Sequence, residues 1–318
     1  MTFAHVLRRS AIAIGAALGL LAFAEGALRV MDGNALPQLD IFTLESGQLR
    51  LLPNETVRLR RATSGPYEVH TGDGGRRLPI GRDTLILGDS QVLGLGVDDG
   101  ESFAARLGWH NGGVPGHGVG DALEHARELI PSLHPTAVVV VLNQANDWPE
   151  AMTPARERYV VANGWLGARA NANTSLARFW ASPVSGSHLG QLGFMLALGV
   201  PAKPPEPLAP DAVAAKTIAF HAGVVALQNE FPATRVIAAF LPADAATSEA
   251  RARVSPLQIP GRPWEDTTLH DGVITAFADM SLIDLSLALS GPENFLPGDY
   301  HLSAEGHRVV AERFGAMR

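Results

Sequence analysis

The chain has 318 residues, 46% of them apolar and 18% charged, a balance that excludes an intrinsically disordered protein. Lys and Arg number 25 against 32 Asp and Glu, a net charge of −7, which argues against nucleic acid as the main partner because a phosphate-binding face needs a basic excess. There is no cysteine, so disulfides, thiolate metal sites and cysteine nucleophiles are excluded and export to an oxidising compartment carries no risk.

Arg8 and Arg9 precede an uncharged apolar run, Ala11–Ala24. As a helix its fourteen residues would cover about 21 Å, short of the ~30 Å hydrocarbon core of a bilayer. The positive flank, the short run and the small-x-small Ala22-Phe-Ala24 fit a cleavable signal peptide. Continued through Glu25-Gly-Ala-Leu-Arg29-Val-Met31, the same segment reads as a signal anchor whose charged residues snorkel at the outer interface. A buried core helix fits poorly, since it should show a polar face and this run has none. Residues 1–31 are therefore expected to export the rest to the periplasm or cell envelope, either being removed or holding the chain in the inner membrane through residues 10–31.

Residues 32–82 carry little periodicity and read as a connecting region, with Arg58, Arg60, Arg61, Arg76 and Arg77 as a solvated basic face. From residue 83 onward the pattern alternates. Thr84–Gly88, Ala137–Leu142, Arg235–Leu241 and Ser281–Leu285 are short apolar runs without polar alternation, as expected of parallel strands covered on both faces. A weaker fifth strand is expected near Trp109–Gly112. Helical patterns fall at Asp121–Ile130, Asp211–Phe231 and Ser303–Phe314, the last opened by a serine cap. Residues 148–210 are less regular and read as an insertion after the third strand. The alternation predicts an α/β domain, a parallel sheet with helices on both faces.

Ligands of such sheets sit beyond the carboxyl ends of the strands, so the chemistry is sought there. Gly88-Asp-Ser90 follows the first strand, where serine or aspartate could equally cap the next helix. Asn111-Gly-Gly-Val-Pro-Gly116-His-Gly118 follows the second, and its glycines let backbone N–H groups approach a ligand. Asn143-Gln-Ala-Asn146-Asp-Trp148 ends the third, and Pro297-Gly-Asp299-Tyr-His301 precedes the last helix. Together they supply what acyl transfer requires: a serine, a base, an acid to orient it and donors for an oxyanion.

At this point the sequence resembles the SGNH (GDSL-type) esterases and lipases. Leu87-Gly-Asp-Ser90 matches the first block of that family and Asn111–Gly116 the second. Gln144-Ala-Asn146-Asp147 matches the third with its glycine replaced, and Asp299-Tyr-His301 the fourth. The spacing in that fourth block is Asp-x-His rather than Asp-x-x-His, Gly298 standing where the family has its aspartate. The resemblance runs in order from about residue 83 to the C-terminus. It implies a flavodoxin-like three-layer α/β/α sandwich around a five-stranded, mostly parallel sheet. It also implies Ser90 as nucleophile, His301 as general base and Asp299 as the residue orienting it. The Ser90 and Gly116 N–H groups and the Asn146 amide would form the oxyanion hole. His117, beside that glycine, is expected either to line the substrate pocket, together with Trp148, or to be an exposed loop histidine. His307 is expected to pack or cap at the start of the last helix.

The activity implied is a serine esterase acting through an acyl-enzyme on an acyl ester or acylated glycan of the envelope, or on a lipid-like ester. The alternatives are an O-acyltransferase using the same serine and a non-catalytic glycan-binding envelope protein. No HExxH-type spacing and no complete GxGxxG is found, so neither metal nor cofactor is expected.

Overall fold

The computed structural model describes residues 3–31, 33–36, 38–60, 64–144, 152–169, 186–191, 210–242, 268–297 and 301–316. Helix α1 (Phe3–Met31) runs without a break at Ala24, and its apolar stretch Arg8–Met31 is long enough to cross a membrane. None of that stretch is buried, so α1 is not a core helix. A signal sequence and an anchor both accommodate it.

Residues 42–60 and 64–70, within the stretch expected to connect, are folded. Strands β1 (Phe42–Glu45) and β2 (Gln48–Leu51) pair antiparallel. Ser46 and Gly47 join them, both at positive φ (50° and 80°), as a primed two-residue hairpin turn requires. Strands β3 (Thr56–Arg60) and β4 (Pro66–His70) make a second hairpin, with Val57 and Leu59 turned inward and Arg58 and Arg60 outward. Four- and five-residue strands separated by Gly and Pro are too short to register as periodicity, but their inward faces share one apolar cluster. There Leu49, Leu51, Val57, Leu59 and Val69 meet Leu93, Leu95 and Val114 of the main body.

The main sheet comprises β5 (Thr84–Gly88), β6 (His110–Gly113), β7 (Ala137–Asn143), β10 (Arg235–Leu241) and β11 (Leu282–Asp284). Every pairing in it is parallel, in the order β11-β10-β7-β5-β6. Between β7 and β10 lie the one-turn helix α5 (Ala155–Arg158) and a small antiparallel hairpin, β8 (Tyr159–Ala162) with β9 (Trp165–Ala168).

Helices α4 (Val119–Leu133), α6 (Pro210–Glu230) and α7 (Thr268–Ala276) cover one face of the main sheet. The other carries α2 (Ser90–Leu93), α3 (Phe103–Leu107) and α8 (Ala304–Gly315). The uninterrupted run in β7 is explained by this arrangement: Val138, Val140 and Leu142 enter one layer, Val139 and Val141 the other. The fold is the three-layer α/β/α sandwich expected. Helix α4 passes Pro131 instead of stopping before it, and the His134 N–H closes its last turn on Ile130 O. Helix α7 and the β8–β9 hairpin were not anticipated.

Order reverses between β5 and β7, the neighbours of the first strand lying on opposite sides. Such a switch point leaves a crevice at the carboxyl ends of the strands. Ser90 stands there, two residues past the end of β5.

Candidate active site

Strand β5 turns into α2 so tightly that a Cβ on Gly88 would lie 2.6 Å from the Val92 side chain. Asp89 caps the helix, accepting the Gln91 N–H at 2.9 Å on one oxygen. Its other oxygen accepts the Asn143 amide at 2.9 Å, which ties the turn before Ser90 to the end of β7. Ser90 therefore does not cap the helix; its hydroxyl lies 3.4 Å from Asp89 Oδ2 and has a closer partner. That partner is His301: Ser90 Oγ and His301 Nε2 are 2.9 Å apart across 211 residues of chain, and both residues are buried.

The loop carrying His301 is held from two sides. The Leu302 N–H donates to the Gln91 side-chain oxygen at 2.9 Å, next to Ser90. The Leu296 N–H donates to His301 O at 2.8 Å and the Ser303 N–H to Asn294 O at 2.9 Å, zipping the loop onto the preceding segment. Ser303 then caps α8, its Oγ accepting the Gly306 N–H at 3.1 Å, as the sequence suggested.

Gly116 sits in a tight turn beyond β6. The His117 N–H reaches Val114 O at 3.0 Å, with Pro115 and Gly116 (φ +87°) between them. Proline followed by a positive-φ glycine is the signature of a type II turn. A Cβ at Gly116 would come 3.0 Å from Leu166, 3.2 Å from Tyr159 and 3.5 Å from Leu49. The turn is thus walled by β2 and the β8–β9 hairpin. Among the described residues, neither the Ser90 N–H nor the Gly116 N–H has a hydrogen-bond partner.

His117 is not an exposed loop histidine. Its ring is buried, Nε2 donates to Leu49 O at 2.9 Å, and the His125 ring stands edge-on 5.6 Å away. Burial pushes its pKa down to about 4, with Asp121 opposing, so the ring is neutral at ordinary pH. His307 packs as expected: it is buried against Phe103 and its Nδ1 accepts the Phe103 N–H at 3.2 Å. Burial holds its pKa well below the usual histidine range. Asn146, Trp148 and Asp299 lie outside the described residues.

The solvated basic face holds for Arg58 and Arg60 but not for Arg77, and Arg76 is half-buried, its Nη1 3.1 Å from His110 Nδ1. Arg58 and Arg60 are exposed, but Arg77 is 0% exposed. Its Nη1 reaches the carbonyls of Leu93 (2.8 Å) and Gly94 (2.5 Å), and its Nη2 those of Val97 (2.6 Å) and Glu68 (3.2 Å). Its Nε pairs with Asp99 at 2.8 Å. Burial lowers the guanidinium pKa and Asp99 opposes the shift. A planar fork with five donors can hold a curved loop by its carbonyls in this way, and here the loop is the one leaving α2. Asn111 braces the same end of α2, donating to Val92 O at 3.0 Å. Nothing local marks Arg77 as buried, because arginines are exposed by default. Asp89, Gln91 and Asn143 lay within or beside the motifs and could have been singled out as polar residues at strand ends.

No protein-family model and no curated protein matches the chain. Among solved structures it is similar to the psychrotrophic esterase EstA from Pseudoalteromonas, with 11% identity and a TM-score of 0.37 over 74% of this chain and 95% of that one. It is similar also to the lipase/acylhydrolase from Enterococcus faecalis, at 15% identity and a TM-score of 0.36 over 74% and 94% of the two chains. A third is LAE5, an α/β hydrolase from the metagenome of Lake Arreo, at 14% identity and a TM-score of 0.37 over 75% and 95%.

Proposed function

We propose that the chain is an SGNH-type serine ester hydrolase, exported to the cell envelope, that cleaves an O-acyl ester of an envelope carbohydrate or a lipid-like substrate. The observation that carries this reading is the 2.9 Å contact between Ser90 Oγ and His301 Nε2 at the switch point of the sheet. A serine and a histidine from opposite ends of the domain meet where a ligand crevice is expected.

In this reading His301 Nε2 takes the Ser90 proton as Oγ attacks the ester carbonyl. Negative charge develops on the carbonyl oxygen, where the Ser90 and Gly116 N–H groups, joined by the Asn146 amide, stabilise it. The imidazolium gives its proton to the departing alcohol, and water then releases the acid from the acyl-enzyme by the same route. Asp299 orients the imidazole and offsets its positive charge.

A fluorophosphonate probe tests the proposal on the full chain. Covalent labelling should map to Ser90, and Ser90→Ala should lose both labelling and hydrolysis of p-nitrophenyl acetate, by about 10⁶ in turnover, with a nearly unchanged melting temperature. Labelling elsewhere, or an alanine variant keeping more than about 5% of the activity, is incompatible with a concerted serine mechanism.

A further inference from the structure

Gly118, at the end of the Gly116 turn, donates its N–H to Asp121 Oδ2 at 3.0 Å, the reciprocal bond of a capping residue in the first turn of α4. An aspartate placed there only to complement the helix would need nothing more. Asp121 does more. Its Oδ1 accepts the Ala155 N–H at 2.8 Å, and its Oδ2 also accepts Arg158 Nη2 at 2.6 Å, with both members of that ion pair about nine-tenths buried. Arg158 is itself fixed, its Nε donating to Thr153 O at 2.9 Å and its guanidinium lying 4.9 Å from the centre of the Tyr159 ring.

Ala155 and Arg158 form the root of the β8–β9 hairpin, whose Tyr159 and Leu166 press on Gly116. One carboxylate therefore joins the turn to the wall behind it. Only a carboxylate has the acceptor capacity: an asparagine has a single oxygen for two backbone donors and a guanidinium.

We infer that Asp121, through Arg158 and the β8–β9 hairpin, is a positioning residue that holds the Gly116 N–H aimed at the developing oxyanion before substrate arrives. The inference rests on the serine-hydrolase reading above. A donor gains most when its direction is fixed in advance, since reorganisation would otherwise be part of the barrier. The hairpin belongs to the irregular segment after β7, so that segment has a task in catalysis without supplying a reacting group.

Asp121→Asn and Arg158→Met in the full chain test this. The arginine variant is the milder, since it leaves both backbone bonds to Asp121 intact. With p-nitrophenyl acetate, kcat should fall about 30-fold in Asp121→Asn and about tenfold in Arg158→Met, with KM changed by less than about twofold, as expected when only transition-state contacts weaken. Hydrogen–deuterium exchange of peptides covering 114–118 should quicken in both variants, a readout independent of activity. If both variants melt at lower temperature but keep wild-type kcat and wild-type exchange, Asp121 is structural only and the inference falls. A wild type that is neither labelled by the phosphonate nor active on the ester takes down the hydrolase reading and this inference with it.

Discussion

Gly116→Ala separates conformation from contact at the turn proposed to carry an oxyanion donor. At φ +87° the backbone lies in the left-handed region, where a Cβ costs roughly 1–2 kcal/mol. The new methyl would also sit 3.0 Å from the end of the Leu166 side chain and 3.2 Å from Tyr159. Leu166 is partly exposed and can yield, so the crowding adds less than the backbone term. A loss of about 2 kcal/mol lowers the melting temperature by about 4–8 °C in a domain of this size. Catalysis should suffer more, because the strained turn relaxes by rotating the Gly116 N–H. Losing one oxyanion donor lowers kcat by about 10²–10³ with little change in KM. Thermal melts followed by circular dichroism and steady-state hydrolysis of p-nitrophenyl acetate measure the two effects separately. Adding Leu166→Ala removes the contact but not the backbone strain, so it should restore part of the stability and none of the rate. A Gly116→Ala protein that is destabilised as reckoned yet keeps kcat within about twofold would refute the assignment of this N–H to the oxyanion.

Arg77→Met should cost about 3–5 kcal/mol in a denaturant titration, because it leaves Asp99 without its buried partner and takes the guanidinium donors away from four inward carbonyls; a loss under about 1 kcal/mol would contradict the stapling role. His117, with its pKa lowered to about 4 in the fold, takes up a proton near pH 6.5 only when unfolded. Its contribution to stability is thus complete above about pH 6.5 and is lost as pH falls toward about 4, by about 3 kcal/mol, with His125 and His307 shifted the same way. Melting temperature measured across that range should drop steeply for the wild type and less so for His117→Gln; parallel curves would refute the coupling. For export, alkaline phosphatase fused after Arg318 should be active in cells and a cytoplasm-only reporter silent, while the mass of the mature chain tells whether Ala24 is the last residue removed.

The five sheet strands were legible because each is a short apolar run flanked by turn residues, and burial on both faces removes the alternation that would blur it. Thr84–Gly88 and Arg235–Leu241 begin and end where the pattern placed them, and β6 lies within a residue of its expected position. Ser90 and His301 stood out in the sequence because their neighbours form compact local motifs, one at the end of a strand and one ahead of the last helix. Helix α7 was missed, lying beyond the segments whose helical pattern was read.

Proximity was another matter. The Ser90–His301 hydrogen bond closes over 211 residues, and it is made by the order of the sheet together with Gln91 catching Leu302. Arg77 looked like a solvent-facing charge, since a basic residue in a glycine-rich stretch carries no mark of burial. Only the packing of the β1–β4 hairpins over α2 surrounds it with carbonyls. Asp121 reads locally as an ordinary first-turn acid, and its second and third partners come from residues 34 and 37 positions away. Local pattern marked the residues proposed to carry chemistry and determined which segments form strands. Tertiary structure alone decided which polar groups are buried and against what, because the free energy of a buried charge depends on partners distant in the chain.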